Sequence, residues 1–409
     1  MTRDLCASHV RKVRGVLSVL AAVLACVGLC VPSAVASDGV DWRVDGMGVR
    51  DAWAQGITGK GVKVAVLDNQ MVSDYPALAG ADVSYKLVTE GGQPCYLETG
   101  DGSVSSEPVS TDDPTVLSSS GYMMTHGTHM VSLIAGNGSG WDGGSGIQGI
   151  ASGASVIAYM LDADSKGNLG ELNMPLACRT QNNESTVQTI GPSVRDAVDS
   201  GARIINMSFG YGDVSDAIFR DYMLYALRHG VVMVSGRSNG SWAGLYDLVG
   251  APGTTDYFPG VVTVNAVDSA GNLQESSDVM DGNVSVLSPG VGVPSYRSTD
   301  SREMDSTGGG TSTAAANLSA YLALVMQRWP DATGNQILQS LVRNTKSNTS
   351  GEPELDPEHK RGFGIVDPGK LLSVDPAQYP DVNPLLEWAV KTSGEHEETK
   401  GMYLSLIHI

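Results

Sequence analysis

The chain has 409 residues, 50 of them glycine, with 41% hydrophobic and only 6% aromatic residues; this is the composition of a turn-rich, finely packed enzyme of one large α/β domain or two ordinary ones, and it excludes a fibrous protein. A formal net charge of −19 argues against nucleic acid and anionic membrane surfaces as partners. Beyond residue 40 no apolar run approaches the roughly 18 residues of a membrane span, so none is expected in the body of the chain.

At the N-terminus Arg11, Lys12 and Arg14 precede the apolar run VLSVLAAVLACVGLCV, and Ala34-Val35-Ala36 follows with small residues. This order of charge, short apolar run and small residues predicts a signal peptide over residues 1–36, cleaved after Ala36, and an exported, extracellular protein. A retained anchor fits the short run less well, and lipidation at Cys30 is disfavoured by the bulky Leu29 before it. Cleavage leaves Cys95 and Cys178, for which one disulfide and two separate thiols are both open readings.

From Gly61 onward short β-branched runs recur, at VKVAVLD, SVIAYML, RIINMSF, VVMVS and VVTVNAV. Helical apolar spacing lies between several of them, at Ser193–Ser200 and Ser215–His229. Strand, helix and strand in alternation predict an α/β fold: a doubly wound, mainly parallel sheet flanked by helices. Such sheets carry their reactive groups at the carboxyl ends of strands, where Asp68 stands after VKVAVL. Residues 73–125 are rich in Gly, Ser, Thr, Asp and Pro without periodicity and read as a long surface insertion. The catalytic domain is expected over 37–375, and residues 376–403, with scattered Pro and EHEETK, read as a linker-like tail. The last six residues, LSLIHI at 404–409, read as a translated sequencing adaptor; on that reading the natural chain continues, and a C-terminal anchor is missing from view.

Peptide hydrolysis by a serine requires a hydroxyl, an imidazole to take its proton, a carboxylate to orient the imidazole, and donors for the oxyanion. Asp68 ends an apolar strand, His126 opens HGTHMVSLIAG, and Ser312 lies in GGGTSTAAANLSAYLALV, a Gly-rich turn entering an Ala-rich helix. Singly each has an ordinary structural explanation, as turn residue, helix-start polar group or N-cap. Their joint occurrence in this order is what carries the reading. His126 and His129 form no metal site on this reading, because no third ligand clusters with them.

The order Asp, His, Ser, with the flanks LDNQ, HGTHM and GTSTAA, resembles the three signatures of the subtilase family of serine peptidases. The likeness runs over about residues 41–372 and implies Ser312 as nucleophile, His126 as general base and then acid, and Asp68 as the orienting carboxylate. It also implies an oxyanion donor after the valine run in GVVMVSGRSNGS; Asn239 is the expected one, with Arg237 in the competing register. INMSFG resembles the family's substrate-binding strand, which makes Ser208, Phe209 and Gly210 the expected contacts to an extended polypeptide substrate. The chemistry requires no cofactor, and structural calcium in loops such as NGSGWDGG is the one metal role the resemblance suggests. Asn69 and Gln70 stand where the family has Thr-Gly, Ser152 and Ala316 where it has Pro. The altered DNQ and GRSNG segments leave open a catalytically silent subtilase fold acting as a binding or scaffold protein; a dedicated secretion-system processing protease is an alternative within the same chemistry.

Overall fold

The structure, a computed structural model, describes residues 41–98, 102–162, 178–209, 217–237, 255, 258–274, 284–306, 308–357 and 360–392. Residues 41–409 form one compact unit; the signal-peptide reading of residues 1–36 lies outside the described residues. In chain order the helices are α1 (Trp42–Asp45), α2 (Val49–Ala54), α3 (His126–Ala135), α4 (Ile190–Asp199), α5 (Ala217–Arg228), α6 (Thr311–Arg328), α7 (Gly334–Arg343), α8 (Pro368–Ser373) and α9 (Pro384–Thr392). The strands are β1 (Lys63–Asn69), β2 (Val83–Lys86), β3 (Tyr96–Leu97), β4 (Asn137–Ser139), β5 (Ser145–Gln148), β6 (Ser155–Asp162), β7 (Cys178–Arg179), β8 (Ile204–Met207), β9 (Val232–Gly236), β10 (Val262–Val267), β11 (Val286–Pro289), β12 (Ser295–Tyr296) and β13 (Met304–Asp305).

Seven strands form the central sheet in the order β11-β10-β9-β8-β1-β6-β2, and every pairing in it is parallel. Side chains alternate across a strand, and β1 shows what that does in a sheet covered on both faces. Its Val64 and Val66 enter the core shared with α3 and α6, while Ala65 and Leu67 enter the core under α4 and α5. From β1 the chain goes first to the edge strand β2 and back to β6 on one side, then crosses to β8 and builds the other way. The order therefore reverses between β1 and β8, and the crevice at the carboxyl ends of those two strands is where such a sheet receives a ligand.

Helix α6 is buried along nearly its whole length, from Thr311 to Met326. Its alanines allow close approach to the sheet, and glycines shape its entry. Gly309 has φ +134°, and a Cβ there would stand 1.8 Å from the carbonyl oxygen of Gly290, so only glycine fits this turn.

Two expectations are corrected. Residues 73–125 are not simply a surface insertion, because Val83–Lys86 supplies the edge strand β2, paired with Val156–Tyr159 of β6. As a half-exposed edge strand of four residues, it carries too short an apolar pattern to stand out. The rest of that stretch is tied down by the Cys95–Cys178 disulfide, by β3 pairing with β7, and by a small core of Leu87, Cys95, Cys178 and Val187. The disulfide resolves the cysteine question in favour of pairing. The stretch after 376 is likewise more than a linker: α9 buries Leu385 and Leu386, Asn383 donates to the carbonyl of Gly260 at 3.2 Å, and Trp388 meets Phe363 edge-on. Residues 393–409 lie outside the described residues.

Candidate active site

Asp68 stands near the carboxyl end of β1, and its buried carboxylate is held from two sides. Oδ1 accepts the backbone N–H of Asn69 at 2.8 Å. The His126 Nδ1 lies 2.8 Å from Oδ1 and 3.0 Å from Oδ2. A carboxylate only accepts, so Nδ1 is the donor, and in the neutral imidazole Nε2 then carries the lone pair. Exposure divides the pair: the aspartate side chain is 4% exposed and the imidazole 43%, so the carboxylate is shielded while the ring opens toward solvent.

His126 is the first residue of α3, which starts at this point because Thr125 caps it, its Oγ1 accepting the N–H of Thr128. Thr128 Oγ1 in turn accepts the N–H of Val72 at 2.8 Å, stitching the helix start to the segment that leaves β1. Asn69 adds a second stitch, since its Oδ1 accepts the N–H of Gly127 at 2.7 Å. A Cβ on Gly127 would stand 2.6 Å from Met71 and 2.8 Å from the carbonyl of Asn69, so the glycine of HGTH is required by this close approach. The unusual Asn69 and Gln70 are thus both engaged: Gln70 donates its side-chain N–H to the Pro114 carbonyl at 2.9 Å.

Ser312 is the second residue of α6. Its Oγ donates to the carbonyl of Ser208 at 2.9 Å, and Ser208 Oγ donates back to the carbonyl of Ser312 at 3.1 Å. Ser208 directly follows β8, whose Met207 is in register with Leu67 of β1. Asp68, His126, Ser312 and Ser208 therefore gather at the carboxyl ends of the two strands where the sheet order reverses. Phe209 follows, and its carbonyl accepts from Ser235 Oγ at 2.9 Å and Thr255 Oγ1 at 3.2 Å. Gly210 and Asn239 lie outside the described residues. Arg237, in the competing register, is buried; its N–H donates to the Val264 carbonyl at 2.9 Å, and its own carbonyl accepts from Thr311 Oγ1. Gly236 before it lets the backbones close, because a Cβ there would stand 3.1–3.2 Å from Thr311 and Ser312.

The second histidine of HGTH has a structural task. His129 Nε2 donates to the Pro294 carbonyl at 3.1 Å, and burial, with His126 and Arg43 nearby, pushes its pKa down to about 3. It stays neutral, and among the described residues no group of three His, Cys, Asp or Glu could hold a metal. In the loop considered for calcium, the exposed Asp142 carboxylate accepts from Arg302 Nη1 at 2.9 Å through both oxygens.

Sequence reasoning missed Arg43, whose side chain is fully buried. Its guanidinium pairs with Asp41 and donates to Asn317 Oδ1 and the Gln148 carbonyl, each at 3.0 Å. Asn317 sits in α6 and also donates to the Pro289 carbonyl at 2.8 Å. The available signal was a pair of polar residues, Asn317 and Ser319, inside an Ala- and Leu-rich helix.

The sequence profile of the subtilase family matches residues 59–364, which includes Asp68, His126 and Ser312. The chain belongs to the subtilase family. Fervidolysin of Fervidobacterium pennivorans is 26% identical over 348 residues, covering 80% of this chain but only 42% of fervidolysin. Subtilisin DY of Bacillus licheniformis is 27% identical over 314 residues, covering 76% of this chain and 91% of that protein. Among solved structures, the MycP3 protease of the type VII (ESX-3) secretion system superposes with a TM-score of 0.55 at 23% identity, over 84% of this chain and 90% of that one. This subtilase therefore has the expected α/β fold, and its Asp, His and Ser follow the family's chain order. It spans less than half the length of fervidolysin. Among the described residues no helix is long and apolar enough to cross a membrane.

Proposed function

We propose that this subtilase is an exported serine endopeptidase that hydrolyses polypeptides through an acyl-enzyme on Ser312. The observation that carries the proposal is the Asp68–His126 pair, with Nδ1 bound to a shielded carboxylate at 2.8 Å, at the same strand ends as Ser312. With Nδ1 protonated, Nε2 takes the Ser312 proton as Oγ attacks the scissile carbonyl carbon. His126 then returns that proton to the departing amine as the C–N bond breaks. Water, deprotonated by His126, attacks the ester, and its collapse restores the serine and releases the acid. Asp68 remains ionised throughout and stabilises the imidazolium.

The developing oxyanion is met by the backbone N–H of Ser312, in the first turn of α6, and by the Asn239 side chain. One such donor typically contributes a factor of about 100 or more in rate. Ser208, Phe209 and Gly210 line the extended substrate, whose main-chain N–H competes with Ser312 for the Ser208 carbonyl. The chemistry needs no cofactor. Export follows from the signal peptide over residues 1–36. A dedicated processing role is a second reading, suggested by the fold shared with MycP3, a protease of the type VII (ESX-3) secretion system.

The test is labelling of the purified chain with a fluorophosphonate probe. Labelling lost in both Ser312→Ala and His126→Ala establishes an activated serine; a folded wild type that does not label overturns the proposal in favour of a silent scaffold. Hydrolysis of a broad protein substrate against cleavage of one co-secreted partner separates the two protease readings.

A further inference from the structure

The strand that leads into Ser208, β8, holds one polar residue where apolar ones surround it. Asn206 lies within β8, between Ile204, Ile205 and Met207, and is fully buried. An amide placed there costs free energy unless it is bonded, and its bonds lead to the candidate nucleophile. Its Nδ2 donates to Ser208 Oγ at 2.8 Å. Its Oδ1 accepts from Ser319 Oγ at 3.0 Å. Ser319 is fully buried and lies within 2.9 Å of the Ala315 carbonyl as well.

These contacts close a loop. Asn206 lies in β8 and Ser208 just beyond its end, and their 2.8 Å contact puts both side chains on one side; Ser312 and Ser319 are seven apart on α6, two turns, and also share a face. Ser208 meets Ser312 through a reciprocal pair at 2.9 and 3.1 Å, and Asn206 meets Ser319 at the other end. Elsewhere α6 is tied to the sheet by Thr311 Oγ1 on the Arg237 carbonyl and by Asn317 on the Pro289 carbonyl at 2.8 Å, but to the strand that leads into Ser208 the Ser208–Ser312 pair is a single point. The Asn206–Ser319 contact fixes a second point on that strand, two turns further along α6. The apolar faces of α6 and the sheet cannot do this, because alanine against valine has no directional preference.

We propose that Asn206 and Ser319 are positioning residues, a second anchor that sets where Ser312 Oγ stands relative to His126 and the Ser208 carbonyl. The proposal rests on Ser312 being the nucleophile. Misplacing a reacting atom by about 1 Å costs on the order of 100-fold in rate, so the anchor acts on kcat and on the reactivity of Ser312, with little effect on substrate affinity.

The experiment measures kcat and KM, the second-order rate of fluorophosphonate labelling, and the melting temperature of Ser319→Ala, Ser319→Thr, Asn206→Leu and the Asn206→Leu/Ser319→Ala pair. Ser319→Ala is expected to lower kcat and the labelling rate about 10-fold with KM within about twofold, and Ser319→Thr, which keeps the hydroxyl, to restore most of the loss. In the double variant no Asn206 Oδ1 is left stranded, so its melting temperature falls by less than the two single losses together while kcat stays low. That separation of stability from rate is what a purely structural contact would not produce. Wild-type kcat and labelling in folded Ser319→Ala, or kcat that follows melting temperature through the whole series, overturns the proposal. Labelling that survives in Ser312→Ala instead overturns the nucleophile assignment itself. If Asn206→Leu does not fold, the Ser319→Ala and Ser319→Thr comparison decides alone.

Discussion

Replacing Arg43 with methionine tests how the N-terminal segment is held to the helix that carries Ser312. The guanidinium is fully buried, whereas the side chain of its partner Asp41 retains 18% exposure. Breaking a buried ion pair by removing one partner costs about 3–5 kcal/mol, chiefly through the charge left uncompensated. Water reaching Asp41 softens that term, while Asn317 Oδ1 and the Gln148 carbonyl each lose a donor at 3.0 Å, at about 1 kcal/mol apiece. The sum is about 3–4 kcal/mol, a fall of about 4–6 °C in melting temperature for a domain of this size. Methionine fills much of the volume, so packing loss adds little. Differential scanning calorimetry at a fixed scan rate reads the shift, and Asp41→Asn/Arg43→Met should recover part of it, because the stranded charge is then gone. A melting temperature within about 1 °C of wild type for Arg43→Met would refute the reasoning, since it would place the pair among solvated surface ion pairs worth about 0–1 kcal/mol.

His129 predicts a pH dependence of stability. Burial holds its pKa near about 3 in the fold, against an ordinary value of 6.5, so between those values the unfolded chain binds a proton that the folded chain does not. The contribution is therefore complete above pH 6.5 and is lost as pH falls toward 3, at up to about 1.4 kcal/mol per pH unit. His129→Gln keeps a donor for the Pro294 carbonyl but cannot titrate, and its melting curves from pH 7 to 4 should lack that part of the slope; equal slopes in both proteins would contradict the assignment. Asn69→Ala removes the acceptor for the Gly127 N–H and should lower kcat about 10-fold with KM little changed; unchanged kcat would mean that the Thr125 cap holds α3 unaided. Gly309→Ala, with φ +134° and a Cβ 1.8 Å from the Gly290 oxygen, should cost more than about 3 kcal/mol or prevent folding, and a variant that melts like wild type would show that the turn relaxes freely.

Much of the site was legible from local chemistry. A carboxylate ending VKVAVL, a histidine opening an apolar helix and a serine entering an alanine-rich one are each marked by the pattern around them, because strand and helix periods are written in neighbouring residues. The central strands and α4 and α5 were legible for the same reason. The edge strand β2 was not, since one half-exposed face leaves little apolar signal. Nor was α9, whose two leucines gain meaning only from the surface they cover.

By itself the sequence determined the α/β class, the Asp–His–Ser order, and the strand end and helix starts on which those residues stand. Only the tertiary structure decided that Asn69 ties α3 to β1, that Asp41 and Arg43 lock to Asn317, and that Asn206 and Ser319 form a second contact between β8 and α6. The reason is physical. Periodicity reports which face of an element is apolar, but a hydrogen bond between residues 113 positions apart, as between Asn206 and Ser319, exists only once packing has removed water from both and left each the other's partner.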